Sequence, residues 1–248
     1  MKIVAITQAR MGSTRLPGKI MREVLSKPLL EYQIERVRRS KYIHQLVIAT
    51  TIKETEQPII DLCKKLNVDY YRGSEKDVLS RYFQAAVQYK ADIVVRLTSD
   101  CPLTDPDIID AVITEFLSND NQYDYVSNTI ERTYPRGLDV EVFSMKALGL
   151  ANREAKHPVY REHVTPFIYL HPVQFHLGFV KNTIDLSSHR LTVDTEEDLD
   201  LISCVITGLY NKNIESFALS DIIELLQENP EWLLINSQIE QKKLDDEG

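Results

Sequence analysis

The densest concentration of anion-holding groups lies near the amino terminus, in Gln8-Ala9-Arg10-Met11-Gly12-Ser13-Thr14-Arg15-Leu16-Pro17-Gly18-Lys19. Glycine lets backbone N–H groups approach an oxyanion, the Ser13 and Thr14 hydroxyls add donors, and Arg10, Arg15 and Lys19 neutralise charge. Together these residues describe a triphosphate cradle. It is not a Walker A loop, because Gly12 and Gly18 enclose five residues rather than four. Ile20 also follows Lys19 where Ser or Thr should bind magnesium. A G-x-G-x-x-G dinucleotide fingerprint is lacking too. The competing reading is a polar surface loop with scattered charge.

Two carboxylates offer the matching metal chemistry. Asp100, in Thr98-Ser99-Asp100-Cys101-Pro102, can hold Mg²⁺ against phosphates, since that ion takes only one or two protein carboxylates. Its alternative role is a turn or cap. Asp194 is the candidate second ligand, or else a neighbour of the helix cap at Thr195, whose capping box Asp198 completes. Asp105-Pro106-Asp107 mimics a metal-binding D-x-D pair. Pro106 suits the first turn of a helix, however, which makes Asp105 a cap and Asp107 a first-turn acid.

The elements that must position these groups alternate. Lys2–Thr7, Leu46–Thr50, Val68–Tyr71 and Asp92–Leu97 read as strands. Helical faces lie between them: one opening at Pro28 (Leu30, Ile34, Val37), one over Ile59–Leu66 and one over Val78–Val87. The alternation predicts an α/β fold with a doubly wound, mostly parallel sheet, and ligands in such sheets bind beyond the carboxyl ends of strands. After Tyr123 the rhythm changes. Asp124–Ser127, Leu138–Phe143, Gln174–Val180 and Arg190–Val193 read as strands, and Met145–Leu170 as a helical region broken at His157-Pro158. An acidic helix from Thr195, amphipathic helices around Ile222–Leu226 and Trp232–Ile239, and a charged, frayed tail complete the chain. The expected organisation is one domain over 1–248, with an inserted section at 129–180 and a helical extension at 205–248.

The 248 residues carry a net charge of −8, unevenly spread. Residues 1–40 hold nine basic and three acidic side chains, and residues 189–248 hold four and 14. That pattern excludes a nucleic-acid track and favours a local anion site. Three scattered cysteines form no C-x-x-C, and the apolar run Ile3–Ile6 is too short for a leader or a membrane span. A cytoplasmic protein without a membrane partner is expected.

The segment A-R-M-G-S-T-R-L-P-G-K after the first strand resembles the signature of the sugar-activating cytidylyltransferases, most closely the spore-coat polysaccharide biosynthesis protein F type. Relatives of that type include the 3-deoxy-manno-octulosonate and acylneuraminate cytidylyltransferases. Further matches, in order, are R-G-S-E-K-D-V-L-S-R-Y at 72–82, L-T-S-D-C-P at 97–102, Y-P-R-G-L-D-V-E-V-F at 134–143, R-E-H-V-T-P at 161–166 and T-V-D-T-E-E-D-L at 192–199.

The resemblance implies the nucleotide-diphospho-sugar transferase fold, a divalent metal (Mg²⁺) on Asp100 and Asp194, CTP as donor and a homodimer. It further implies that a sugar hydroxyl attacks the α-phosphorus of CTP and pyrophosphate leaves, in surface polysaccharide biosynthesis. Ala9, Met11, Gly12, Ser13 and Thr14 would then hold phosphates with Arg10, Arg15 and Lys19, and Lys19, Arg10 and Asp100 would be catalytic. The base pocket falls at Gly73, Ser74 and Arg81, with Arg81 alternatively a solvent-side partner of Asp77. Arg132, Arg136, Arg161 and His163 fall in the section that by analogy covers the sugar and forms the dimer face. An arginine fork suits the carboxylate of an acidic ulosonic-type sugar; interface pairing with Glu131, Glu141 and Glu162 competes with that role. His163 is a base or a packing residue. A glycosyltransferase of the same fold would need a convincing D-x-D. A non-catalytic nucleotide-binding regulator would not need Lys19, Asp100 and Asp194 together.

Overall fold

Strand β1 (Ile3–Gln8) is buried on both faces, and its alternate side chains enter different cores. In the computed structural model, which describes residues 1–118 and 122–241, Ile3 and Ala5 join one apolar cluster while Val4 and Ile6 join the other. This is the period-two consequence of a strand covered by helices above and below. Neighbouring β4 (Gln45–Thr51) and β6 (Ile93–Thr98) pair with it in parallel, and β5 (Asp69–Gly73) extends the sheet beyond β4.

On the other side β8 (Glu141–Ser144) pairs antiparallel with β6 and with β7 (Tyr125–Ser127), and β9 (Leu177–Phe179) closes the edge parallel to β7. The result is a seven-stranded, mostly parallel sheet in the order β5-β4-β1-β6-β8-β7-β9. Helices α1 (Leu29–Val37), α2 (Gln57–Lys65), α4 (Pro106–Ser118), α8 (Glu196–Asn211) and α9 (Leu219–Glu228) pack on one face. The opposite face carries α3 (Val78–Gln88), α5 (Met145–Glu154) and the short α7 (Pro166–Tyr169), with α6 (Pro158–His163) leading into α7. This arrangement is α/β, and α8 runs without a break through residue 205.

Several expectations are corrected. Arg190–Val193 is not a strand: Arg136 and Arg190 form one isolated parallel bridge, and Val193 N–H donates instead to the Asp100 carbonyl at 2.8 Å. The bridge does not extend into a ladder, and the next residue along, Gly137, has φ +99. Leu138–Val140 likewise precede β8 rather than belonging to it. The helix expected over Trp232–Ile239 is a 3₁₀ turn at Pro230–Leu234, and Asn236 instead sends its side chain inward to the Arg190 carbonyl and Asp198. A two-stranded hairpin, β2 (Glu23–Val24) with β3 (Lys27–Pro28), had no sequence signal. Its turn places Leu25 and Ser26 at positive φ, where Asn-Gly is the usual choice. The charged tail beyond Gln241 lies outside the described residues.

Helix ends follow capping chemistry. Thr195 and Asp198 form the reciprocal box at the start of α8. Asp105 caps α4 through Asp107 N–H at 2.8 Å and binds Leu219 N–H at 2.6 Å, so Asp105-Pro106-Asp107 is spent on helix ends. Among the described residues, no helix is long and apolar enough to cross a membrane.

Gly137 couples this frame to the cavity below. A Cβ at this residue would overlap the Leu191 carbonyl, and its φ is unfavourable for other residues. Gly137→Ala is expected to cost at least about 2 kcal/mol, read from urea-unfolding midpoints.

Candidate active site

Because β1 and β6 are neighbours, the loops leaving their carboxyl ends meet. Gly18, at φ +67, turns the chain after the first loop and delivers Lys19 to the start of a 3₁₀ turn. Its N–H and that of Ser13 both donate to the Met11 carbonyl at 3.0 Å, which folds the loop on itself. Lys19 Nζ then lies 2.9 Å from Asp100 Oδ2 and 2.7 Å from Asp194 Oδ1. Arg15 reaches Asp194 Oδ2 at 3.0 Å, and Arg190 reaches the same oxygen at 2.9 Å.

This ionic centre separates two cavities. One of about 240 Å³ is bounded by the loop and Arg81; one of about 720 Å³ is bounded by Arg132, Arg136 and Thr165. Gln8, Arg15, Thr98, Asp100, His163 and Asp194 border both. A reactant in each cavity would meet across Asp100 and Asp194.

Charges at the centre are strongly coupled. Burial pushes the Asp100 carboxyl up, but the Lys19 charge and hydrogen bond outweigh it and leave the pKa lowered to about 2. Burial disfavours the Lys19 ammonium, yet the two carboxylates still hold its pKa above the ordinary value. Two carboxylates converging on one cation fit a magnesium ion that completes its shell with phosphate and water. Among the described residues there is no group of three or more His, Cys, Asp or Glu for an all-protein metal cage.

The loop residues are placed unevenly about the smaller cavity. Arg10, Gly12, Ser13 and Thr14 border the smaller cavity, as does Ala9, whose N–H is bound to the Ala49 carbonyl. No hydrogen bond among the described residues engages the Gly12 or Thr14 N–H. Met11 departs from expectation: its N–H donates to Glu56 at 2.8 Å and is unavailable to a phosphate. Arg81 is buried rather than a surface partner of Asp77, and it donates to the Ser74 carbonyl while its Nε has no acceptor among the described residues. Gly73 and Ser74 border neither cavity; Gly73 leaves room for Tyr71 and Arg81, and Ser74 Oγ accepts from Asp77 N–H.

The four residues expected at the sugar diverge. Arg161 borders neither cavity and instead forks onto Asp77 at 2.9 and 2.6 Å, because the cap of α3 lies beside α6. Arg132 borders the larger cavity but is neutralised by Asp139. Arg136 borders it with no ion pair among the described residues; burial and the nearby Arg132 both push its pKa down. His163 borders both cavities.

Four contributors were not assigned to the site by sequence reasoning, which gave Glu141 only as an interface-pairing candidate. Glu56 is buried, accepts from Thr50, Thr51 and Met11, and so anchors the loop. Arg96 and Glu141 form a buried ion pair at the larger cavity, and Tyr125 and Thr165 each donate to Glu141 at 2.6 Å. Arg190 is the fourth. Only Arg96 carried a signal, a charge inside the apolar run Asp92–Leu97, which demands a buried partner.

Comparisons with known proteins place the chain in a family and match its fold. The solved CMP:2-keto-3-deoxy-manno-octonic acid synthetase complexed with CTP shares the fold, with a TM-score of 0.65 at 16% identity over 84% of this chain and 99% of that one. A cytidylyltransferase structure from Leptospira borgpetersenii serovar Hardjo-bovis matches with a TM-score of 0.90 at 34% identity, over 98% of this chain and 99% of that one. Spore coat polysaccharide biosynthesis protein SpsF of Bacillus subtilis is 36% identical over 92% of this chain and 95% of its own. The enzyme class is therefore nucleotidyltransferase. A family model described as Cytidylyltransferase matches residues 4–241, and the chain belongs to that family.

The Lys19–Asp100 contact has a definite pH signature. A carboxyl whose folded value is lowered from 3.8 to about 2 contributes stability in full above its unfolded value and loses it as pH falls toward 2. The unfolding free energies of the wild type and Lys19→Met should therefore converge by about 2 kcal/mol between roughly pH 5 and pH 2 in urea titrations.

Proposed function

We propose that the enzyme transfers CMP from CTP to an acidic sugar of the ulosonic type, releasing pyrophosphate, as a step in surface polysaccharide synthesis. One observation carries this reading: a cation-bridged carboxylate pair stands where a phosphate-loop cavity meets a larger cavity holding an uncompensated arginine. The names of relatives that make or handle such compounds support it.

The nucleotide occupies the smaller cavity, with its triphosphate against Arg10, Arg15, Lys19 and the free N–H groups of Gly12 and Thr14. The acceptor occupies the larger cavity, its carboxylate on Arg136, whose fork matches both oxygens. The acceptor hydroxyl attacks the α-phosphorus and gives its proton to water, an O–P bond forms, and the bond to the oxygen bridging the α- and β-phosphates breaks, so that pyrophosphate leaves. Lys19 and Arg15 turn from Asp194 to the phosphates and take up the charge that accumulates on the leaving group. Asp100 and Asp194 would hold Mg²⁺, which supplies polarisation of the α-phosphate when bound. Burial in the two cavities aligns the reactants, the larger share of such catalysis.

The enzyme acts as a homodimer through the section around residues 129–180. Exposed Ile130, Leu170, Val173 and Phe179, all within that section, support that reading as apolar groups available to a second copy. A reducing, cytoplasmic setting is supported by free Cys63, Cys101 and Cys204. The capping of α4 by Asp105 removes the feature that favoured a glycosyltransferase.

Pyrophosphate release measured with each of four nucleoside triphosphates and a panel of acidic and neutral sugars, with Mg²⁺, is expected only for CTP with an acidic sugar. Silence with every pair would sink the proposal. Asp100→Asn should lower turnover at least about a hundredfold while the protein still unfolds in one cooperative transition, at a lower melting temperature because the Lys19 pair is lost, and a normal rate would remove Asp100 from the mechanism. Arg136→Met should raise KM for the acidic acceptor about tenfold or more without changing KM for CTP. Equal effects on both would place Arg136 elsewhere.

A further inference from the structure

The carboxylate pair is not equally supported on its two sides. Asp100 follows a sheet strand directly, whereas Asp194 lies in an irregular segment just before the cap of α8. Its Oδ1 faces Lys19, and its Oδ2 takes both Arg15 and Arg190. Lys19 and Arg15 belong to the phosphate loop and are the cations a triphosphate draws away. Once they leave, something else must keep Asp194 aimed.

We propose that Arg190 is the positioning residue for Asp194, and that Asn236 and Gln241 of the carboxyl-terminal segment are working parts of the active site because they fix Arg190. The proposal rests on the metal-dependent nucleotidyl transfer described above. Arg190 cannot follow the loop cations. Its side chain is 8% exposed, and Nε and Nη2 each reach an oxygen of Asp198 at 2.9 Å. Nη1 donates to Gln241 Oε1 at 2.7 Å. Asp198 is fully buried and accepts in addition from Asn236 Nδ2 at 2.8 Å and from the Asp194 N–H at 2.9 Å.

The backbone is held as firmly as the side chain. Asn236 Nδ2 donates to the Arg190 carbonyl at 3.1 Å, and Leu191 N–H donates to the Arg136 carbonyl at 2.7 Å. Arg190 thus keeps one oxygen of Asp194 occupied and leaves the other directed at the junction of the cavities. Outer hydrogen-bond partners of metal-binding carboxylates set affinity in this way. Gln241 also borders the larger cavity, so the end of the described chain reaches the acceptor side as well.

Electron paramagnetic resonance of free Mn²⁺, titrated with full-length protein and saturating CTP, tests the assignment. Arg190→Lys cannot fork across Asp194 and Asp198, and is expected to weaken Mn²⁺ uptake 10- to 100-fold, the range known for outer partners of metal ligands (roughly). CTP binding without metal, followed by calorimetry, should stay unchanged. Gln241→Ala removes one hydrogen bond from an exposed residue and keeps the fold testable if Arg190→Lys fails to fold. It should weaken Mn²⁺ uptake several-fold at an unchanged melting temperature. Wild-type Mn²⁺ affinity in Gln241→Ala and in folded Arg190→Lys would overturn the proposal while leaving the nucleotidyltransferase reading intact. An equal loss of metal-free CTP binding would overturn it too, by making Arg190 a phosphate contact. Absence of Mn²⁺ uptake by the wild type with CTP would remove the metal reading and this proposal together.

Discussion

Two carboxylates from segments 94 residues apart in sequence are held against one ammonium group, and much of the site's construction serves that contact. The oxygens that touch Lys19 lie within about 6 Å of each other, a separation at which two unit charges repel by roughly 3 kcal/mol at an effective dielectric of 20. The pair cannot form without a cation between its members. In the free protein Lys19 is that cation, assisted at Asp194 by Arg15 and Arg190. The cost of assembling like charges is met by tertiary structure: β1 brings the lysine, β6 brings Asp100, and the segment before α8 brings Asp194.

The sheet therefore matters for what leaves its edge rather than for its extent. Parallel pairing of β1 with β6 forces their following loops to emerge side by side, and the Val193 hydrogen bond to the Asp100 carbonyl docks the third segment onto the second. Gly137 performs the corresponding task on the side of the larger cavity. Its lack of a side chain lets Leu191 approach, which joins the residue facing the larger cavity, Arg136, to the segment that carries Arg190 and Asp194. Loop anchoring has the same logic. Glu56, buried and accepting from three donors, holds Met11 in place so that the rest of the loop faces open space.

What was legible in the sequence was local. Strands β1, β4, β5 and β6 announced themselves as short apolar runs between turn residues, and the cationic and hydroxyl residues of the first loop clustered within a single connection. Asp100 and Asp194 could be nominated because each follows a strand-like run, even though the second run proved to be a single bridge. Illegible features were those decided by partners distant along the chain. Arg161 looked like a sugar ligand until Asp77, 84 residues away, claimed the Nε–Nη2 edge of its guanidinium and Asn152 the other. Arg190 sat in a segment with strand character, and its role depends on Asn236 and Gln241, which periodicity assigned to a helix and a tail. A buried arginine chooses its carboxylate by three-dimensional proximity, which spacing in one dimension does not encode. The Leu25-Ser26 turn was hidden for another reason: its positive-φ residues lack the Gly or Asn that normally marks such a turn.

Charge pairing along the two cavities explains how an acidic protein builds a site for anions. Along the larger cavity Arg96 is matched by Glu141 and Arg132 by Asp139, and behind Asp194 Arg190 is matched by Asp198, so these three arginines contribute little net attraction. The residual positive charge is then localised. Arg10 and Arg81 have no ion-pair partner among the described residues on the smaller side, and Arg136 has none on the larger. Arg81 and Arg136 are partly withdrawn from water, and burial lowers the pKa of each, so an arriving anion relieves a desolvated charge rather than displacing a good solvent shell. Two uncompensated cations beside the loop suit a polyphosphate, and one beyond it suits a single carboxylate. The net charge of −8 is thus compatible with anion binding because the neutral pairs insulate the site from the acidic remainder of the chain.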